Sequence, residues 1–290
     1  IHGIIEFSNY CRQNCLYCGI RKDNANLTRY RMSEEEIIHR AEYAVKELKF
    51  KALVLQSGED LWYDQERLFN IVSGIMRESP ALLVLSLGER DMALYQRLYQ
   101  AGARGALVRF ETSNPDLYEK YRPGHKLEER LKLINDLREM GYLALTGFLT
   151  GLPGETEADT LNDIELTNSL GPEMFSFGPF IPHPDTPLKD AVSPSLESAL
   201  NTIARARIRY PESRILATTA LETLDKEKGA KAAFLAGANS LMVNLTPEKY
   251  RNLYDIYPRR SGSDEDVRER IEDVLSLLVY IGRAPTHLGM

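Results

Sequence analysis

The sequence contains few cysteines and tryptophans and no long apolar segment. It has three cysteines and one tryptophan in 290 residues. A bilayer-spanning helix needs about 20 consecutive apolar residues, and no run approaches that length, so we predict no transmembrane segment. Scarce cysteine is typical of proteins from a reducing compartment. The sequence starts without a methionine or a charged leader, so no signal peptide is visible, and we expect a cytoplasmic protein.

The charge balance narrows the classes of partner. The net charge is −6, with 43% hydrophobic and 27% charged residues, as in an ordinary globular protein. No basic stripe accompanies this acidic balance, which argues against nucleic acid or a membrane surface as the main partner. We therefore expect a small-molecule ligand.

All three cysteines lie within eight residues, at Cys11, Cys15 and Cys18. A cube of four irons held by three thiolates leaves one iron with an open coordination position, which implies chemistry at that iron. A structural zinc site needs four ligands, and the nearest histidine, His2, lies on the far side of a predicted strand. The spacing favours an iron–sulfur cluster. Zinc and redox-active thiols stay open as the less favoured alternatives.

Short β-rich apolar runs alternate with amphipathic stretches of helical period. The predicted strands cover 3–7, 52–56, 82–86, 106–110, 143–148, 174–178, 215–219 and 240–244. The predicted helices cover 33–48, 64–78, 90–101, 127–140, 157–170, 195–209, 225–236 and 267–281. Ser33 and Glu36 have the spacing of a capping box at the start of the first helix.

Eight such units predict an α/β fold, a single (β/α)8 TIM-type barrel that forms one domain over 1–290. The strands extend to about residue 245, and a C-terminal tail and helix occupy 246–290. A doubly wound sheet is the alternative, but the strand count favours closure. A barrel places function at the carboxyl ends of its strands, so the loops that follow each strand hold the candidate site.

Polar residues concentrate in those loops. Gly58 and Glu59 follow the second strand, and a carboxylate beside glycine suits a ligand ammonium group, although a turn with an exposed acid is the simpler interpretation. Arg109 and Glu111 are two residues apart, so on a strand they point to the same side. A salt bridge that closes the barrel rim is the less favoured alternative for this pair.

Later loops add neutral donors and aromatic groups. Thr218 and Thr219 end the seventh predicted strand, and their hydroxyls are suited to an anion inside a barrel. Tyr254 and Tyr257 are three residues apart and share a face if the tail is helical. Core packing explains the tyrosines about as well as contact with a ligand does.

Cys11, Cys15 and Cys18, with Tyr17 before the third cysteine, follow the pattern CxxxCx(aromatic)C, and here the sequence resembles the radical S-adenosylmethionine (SAM) superfamily. This resemblance implies that the three cysteines are catalytic and hold one [4Fe-4S] cluster, whose open iron binds SAM. The reduced cluster then cleaves SAM to a 5′-deoxyadenosyl radical. By position in the family's motifs, the expected SAM contacts are Tyr17, Gly58, Glu59, Ser86, Glu111, Arg130, Leu149 and Tyr254.

A narrower resemblance extends from the first strand to about residue 258. The segments LVLQSGED, GLPGET, GPFIPHPDTPL and YRNLYDIYP are similar to the HydE family of [FeFe]-hydrogenase maturases. This resemblance implies action on an organometallic iron–cysteine complex that carries CO and CN, and transient contact with other maturases and an electron donor. The expected substrate contacts are Arg109, Thr218, Thr219, Met242 and Tyr257.

Two departures from that family affect the expectations. Some relatives carry further cysteines near the C terminus, whereas RRSGSDED stands here, so these residues cannot hold a second cysteine-bound cluster. A helical segment that usually precedes the first strand is absent from the sequence. Two alternatives stay open: a methylornithine synthase-like amino-acid mutase and a non-catalytic iron–sulfur scaffold or carrier. Biotin synthase fits less well because its sulfur donor is a second cluster.

Overall fold

Parallel strands form the centre of the molecule. The computed structural model describes residues 1–285. Its strands are β1 His2–Ser8, β2 Ala52–Ser57, β3 Leu82–Ser86, β4 Gly105–Leu107, β5 Leu143–Thr146, β6 Leu149–Thr150, β7 Met174–Phe175, β8 Gly178–Pro179, β9 Leu216–Ala217 and β10 Ser240–Asn244. Eight of them form one sheet in the order β7-β5-β4-β3-β2-β1-β10-β9, while β6 and β8 form a separate pair. All of these pairings are parallel.

A bridge between Phe175 and Ile215 joins the two edges of the sheet and nearly closes it into a barrel. The predicted barrel is confirmed. Helices surround it: α1 Glu34–Lys46, α2 Gln65–Glu78, α3 Met92–Gln100, α4 Pro115–Tyr121, α5 Leu127–Glu139, α6 Glu157–Ser169, α7 Leu196–Arg209, α8 Thr219–Leu224, α9 Gly229–Ala236, α10 Glu248–Arg251 and α11 Val267–Tyr280. Among residues 1–285, no helix combines the length and apolarity needed to cross a bilayer.

Apolar side chains fill the interior of the barrel. The inward-facing cluster consists of Val54, Val84, Leu145, Met174 and Leu216, with Ile4, Leu107 and Met242 packed against it. Several of these side chains also line the cavity above, so the cluster forms its floor. Each fully buried aliphatic side chain contributes about 1.5–3 kcal/mol, so this layer stabilises the barrel beneath the site.

Most differences from the predicted elements lie at the carboxyl ends of strands. The fourth strand was predicted over 106–110 but ends at Leu107, and the seventh was predicted over 215–219 but ends at Ala217. The helix predicted over 225–236 is α9, which starts later, at Gly229, and the short helix α8 just before it was not predicted. The capping box at Ser33 is confirmed, because Ser33 and Glu36 exchange both bonds. Beyond Leu107, single backbone hydrogen bonds still join Val108 to Leu145 and Phe110 to Gly147.

Candidate active site

One cavity of about 310 Å³ opens at the carboxyl ends of the barrel strands. Such a volume is in the range of small-molecule sites. Every residue that the sequence nominated for a site lines this cavity: Cys11, Cys15, Tyr17, Cys18, Gly58, Glu59, Ser86, Arg109, Glu111, Arg130, Leu149, Thr218, Thr219, Met242, Tyr254 and Tyr257. The fold therefore brings together residues from nine separate parts of the chain.

The three cysteines lie in the loop after β1, are free thiols and are partly buried. Burial raises the pKa of Cys11 to about 11 and raises the pKa of Cys18 further above its usual range. Thiols in such a position ionise readily only beside a cation, which an iron cluster supplies. Among residues 1–285, no three His, Cys, Asp or Glu side chains converge on a single metal position. The donor set suits a cluster in which each thiolate binds a different iron.

Gly58 supports the cysteine loop by close packing. A Cβ atom built at Gly58 would lie 2.2 Å from the carbonyl oxygen of Tyr10 and 2.8 Å from Cys11 Cβ. Only glycine fits between β2 and this loop. From the sequence, Gly58 was expected to lie beside a ligand ammonium group. The structure adds a second reason for glycine at this position, which is close packing against the cysteine loop.

Glu59 is held in a network of donors. Gln13 Nε2 donates to Glu59 Oε2 at 2.5 Å, and the Glu89 amide donates to Oε1 at 2.9 Å. Arg12 Nε also donates to Oε2, at 3.2 Å. A carboxylate has about four acceptor positions, so roughly one is left for a ligand. Glu59 connects the cysteine loop to the loops after β2 and β3.

A second charged cluster centres on Glu89, in the loop after β3. Arg122 Nη2 and Arg130 Nε each lie 3.2 Å from Glu89 Oε1, and His125 Nδ1 lies 3.1 Å from Oε2. Burial opposes ionisation of Glu89, but the charges of Arg130, Arg122 and His125 outweigh it and hold its pKa below the usual range. Sequence reasoning named Arg130 and missed Glu89 and Arg122. Their only signals were the strings SLGE and YRP.

Arg109 and Glu111 pair at the rim, with 3.3 Å between Arg109 Nη2 and Glu111 Oε2. Their shared orientation was predicted from strand geometry, but β4 ends before both of them. Glu111 instead adopts a φ of 69°, a left-handed conformation uncommon for a residue other than glycine. Its carbonyl accepts a hydrogen bond from the Leu149 amide at 2.9 Å. Such strain commonly marks functional loops.

Polar groups in the lower cavity come from β9, β10 and the tail. Thr218 Oγ1 is buried and, among residues 1–285, has no hydrogen-bond partner. The three carboxylates that line the cavity each have an arginine partner: Glu6 with Arg260, Glu59 with Arg12, and Glu111 with Arg109. The lining therefore offers an unpartnered hydroxyl, and an arginine balances the charge of each lining carboxylate, while Glu111 Oε2 accepts no hydrogen bond within residues 1–285.

The tail that carries Tyr254 and Tyr257 is not helical, so the condition for a shared helical face is not met. It is positioned by Arg260, which forms a buried two-armed ion pair with Glu6 on β1. Arg260 Nη1 also donates to the Tyr254 carbonyl at 2.7 Å. Both tyrosines nevertheless line the cavity. The segment with both tyrosines is therefore a loop that the buried ion pair of Glu6 and Arg260 holds in place.

Comparisons with known proteins agree with this architecture. A family model described as the radical SAM superfamily matches residues 5–167, and one described as the biotin and thiamin synthesis associated domain matches 176–273. The chain is 43% identical over 285 residues to the [FeFe] hydrogenase maturase subunit HydE of Thermotoga maritima, covering 98% of this chain and 81% of that protein.

Two further relatives carry a different activity in their names. The chain is 30% identical to 3-methylornithine synthase of Methanosarcina acetivorans, covering 96% of this chain and 77% of that protein. The crystal structure of methylornithine synthase (PylB) superposes with a TM-score of 0.84 at 26% identity, covering 99% of this chain and 83% of that chain. The same barrel therefore occurs in relatives named for different reactions.

Proposed function

This chain belongs to the radical SAM superfamily, and we propose that its three cysteines hold one [4Fe-4S] cluster at which SAM is reductively cleaved. It is an enzyme of that superfamily and a homologue of the HydE maturase. When bound, the cluster and SAM supply a 5′-deoxyadenosyl radical. The chain's own residues bind SAM, orient it and close the cavity around the reacting atoms. We treat 1–290 as one barrel domain in this scheme.

The upper part of the cavity, lined by Gly58, Glu59, Ser86, Glu111 and Arg130, supplies the polar groups that bind SAM. The remaining acceptor position of Glu59 and the backbone beside Gly58 receive the ammonium group, and the remaining donors of Arg130 bind the carboxylate. Glu111 accepts from the ribose hydroxyls, and Ser86 is a further polar contact. Tyr17, Leu149 and Tyr254 provide apolar surface for the adenosyl group. The support is that all eight residues line one cavity with the cysteines.

The lower cavity takes the substrate, for which we propose an anionic iron–cysteine complex bearing CO and CN. Arg109 and the hydroxyls of Thr218 and Thr219 bind its anionic ligands, while Met242 and Tyr257 pack against it. The carrying observation is that an arginine balances the charge of each of the three lining carboxylates, while the Thr218 hydroxyl has no partner within residues 1–285. Such a lining favours an anion over an amino acid, whose ammonium group needs a carboxylate charge beyond the Glu59 position assigned to SAM.

The second candidate is an amino-acid mutase. The TM-score of 0.84 to methylornithine synthase favours it. A scaffold or carrier without turnover is less favoured, because it has no need of the charged groups gathered above the cysteines. In the maturase role, the enzyme meets other maturases and an electron donor only transiently.

Turnover distinguishes these functions. Anaerobically reconstituted and reduced protein is incubated with SAM and either a synthetic iron–cysteine CO/CN complex or an amino acid such as lysine. We expect an adenosylated or rearranged product, found by mass spectrometry, from the iron complex alone. A rearranged amino acid would contradict the maturase assignment, and no SAM consumption with either substrate would favour a scaffold.

A further inference from the structure

Three large apolar side chains are exposed beside the cysteine loop. Tyr10, Leu61 and Trp62 form what is here called the rim patch, and they are 36%, 54% and 41% exposed. Tyr10 directly precedes Cys11 after β1, while Leu61 and Trp62 follow β2, so the patch lies at the carboxyl end of the barrel. Trp62 is the only tryptophan in the sequence. Exposed clustered aromatic groups are typical of interaction surfaces.

Arginines surround the rim patch. The Arg31 guanidinium lies 3.8 Å from the centre of the Tyr10 ring and 5.3 Å from that of Trp62. Arg67 lies 4.3 Å from the centre of the Trp62 ring. Arg12, which follows Cys11, has a side chain that is 47% exposed.

The carboxylates that pair with these arginines differ in their exposure to solvent. Asp60 pairs with Arg31 and Glu59 with Arg12, but these carboxylates are only 3% and 7% exposed. Arg67 is different, because its partners Asp64 and Glu34 both reach solvent. At Arg31 and Arg12 the cation therefore faces solvent above a buried anion. This arrangement presents two guanidinium groups to solvent next to the cysteine loop, where carboxylates of an acidic partner can bind them.

We propose that the rim patch is the docking surface for an acidic one-electron carrier protein. This inference rests on the proposed function, because cleavage of SAM consumes one electron that must reach the cluster from outside. The carrier is oxidised by one electron, the cluster is reduced by one, and no bond or proton changes. An apolar centre with a charged border suits a small, transient electron-transfer interface. Cys11, one residue from Tyr10, gives a short route to the cluster.

Binding is tested first on the cluster-free protein. The fluorescence of Trp62 is measured during titration with an acidic ferredoxin that lacks tryptophan. We expect saturable quenching that weakens as salt rises, since the arginines at the border attract the carrier. Absence of quenching across the titration would overturn the docking surface. Because no cluster is needed, this result is separate from the fate of the proposed function.

Electron delivery is tested on the reconstituted protein by stopped-flow absorbance. The double variant Leu61→Ala and Trp62→Ala is compared with Leu235→Ala and Val279→Ala, two exposed apolar residues on α9 and α11. We expect about a tenfold slower reduction by ferredoxin for the rim variant only, and unchanged reduction by dithionite. An unchanged ferredoxin rate would overturn the proposal. An equal loss with dithionite would also overturn it, because the patch would then act on the cluster and not on the carrier.

Discussion

Two threonines, the half-buried Thr218 in the cavity lining and the buried Thr246, differ in whether their hydroxyls serve folding or binding. Thr246 Oγ1 accepts a hydrogen bond from the Glu6 amide at 2.8 Å. Thr218 begins α8 without capping it, and its buried Oγ1 has no partner within residues 1–285. A buried hydroxyl without a partner lowers stability. We therefore expect the Thr218 hydroxyl to serve ligand binding and not the stability of the fold.

Substitution of Thr218 and Thr246 by valine tests whether each hydroxyl serves binding or folding. Thr218→Val removes the unpaired hydroxyl and keeps the shape, so we expect an unchanged or higher melting temperature and weaker binding of an anionic substrate. Thr246→Val leaves the Glu6 amide unpaired and serves as the matched variant, with an expected loss of about 1–3 kcal/mol in the free energy of unfolding. Thermal denaturation measures both. A large destabilisation by Thr218→Val would show that the hydroxyl serves the fold.

At the scale of elements, α6 holds the strained turn after β4. The Ser113 amide donates to Asp163 Oδ1, two residues beyond Glu111 and its positive φ. Asp163 is fully buried on α6. Burial raises the pKa of Asp163 to about 7, despite the hydrogen bond from Ser113. The nearby carboxylates Glu155 and Asp159 raise this pKa further.

The raised pKa predicts a pH-dependent stability. Between pH 4 and 7 the folded protein holds a proton on Asp163 that the unfolded chain has released, so its contribution to the free energy of unfolding falls as pH rises. We expect the Asp163→Asn variant to lose this dependence and to gain roughly 2 kcal/mol relative to wild type at pH 8. Urea unfolding from pH 5 to 8 measures it. The exposed variant Asp190→Asn should follow wild type, and parallel curves for all three proteins would contradict the assignment.

Elements with a strong local pattern were predictable from sequence. β3 and β10 have their predicted bounds, and Ser33 caps α1 as its spacing indicated. α4 was missed because its Asn114 cap and Pro115 start a helix of only seven residues, too short for a periodic apolar face. The strand ends near Leu107 and Ala217 also escaped prediction. The β-rich sequence pattern continues past both, whereas the backbone reaches a positive φ at Glu111 and starts α8 after Thr218.

At the scale of the whole molecule, the barrel assembles the site. Motif positions were enough to nominate sixteen residues that line one cavity. The cluster of Glu89 with Arg122 and Arg130 was not predictable, because its ion pairs join residues more than thirty positions apart in the sequence. The same holds for Glu6 and Arg260, which bring the tail across the barrel mouth. Sequence spacing carries no information on such contacts.

We propose that this barrel cleaves SAM at a cluster held by Cys11, Cys15 and Cys18. The most direct measurement is 5′-deoxyadenosine release from anaerobically reconstituted, reduced protein, with Cys15→Ala as the matched variant. We expect release by wild type, together with about four irons per chain, and none by the variant. Stable zinc in place of iron, or an intact cluster that leaves SAM uncleaved under reduction, would contradict the claim.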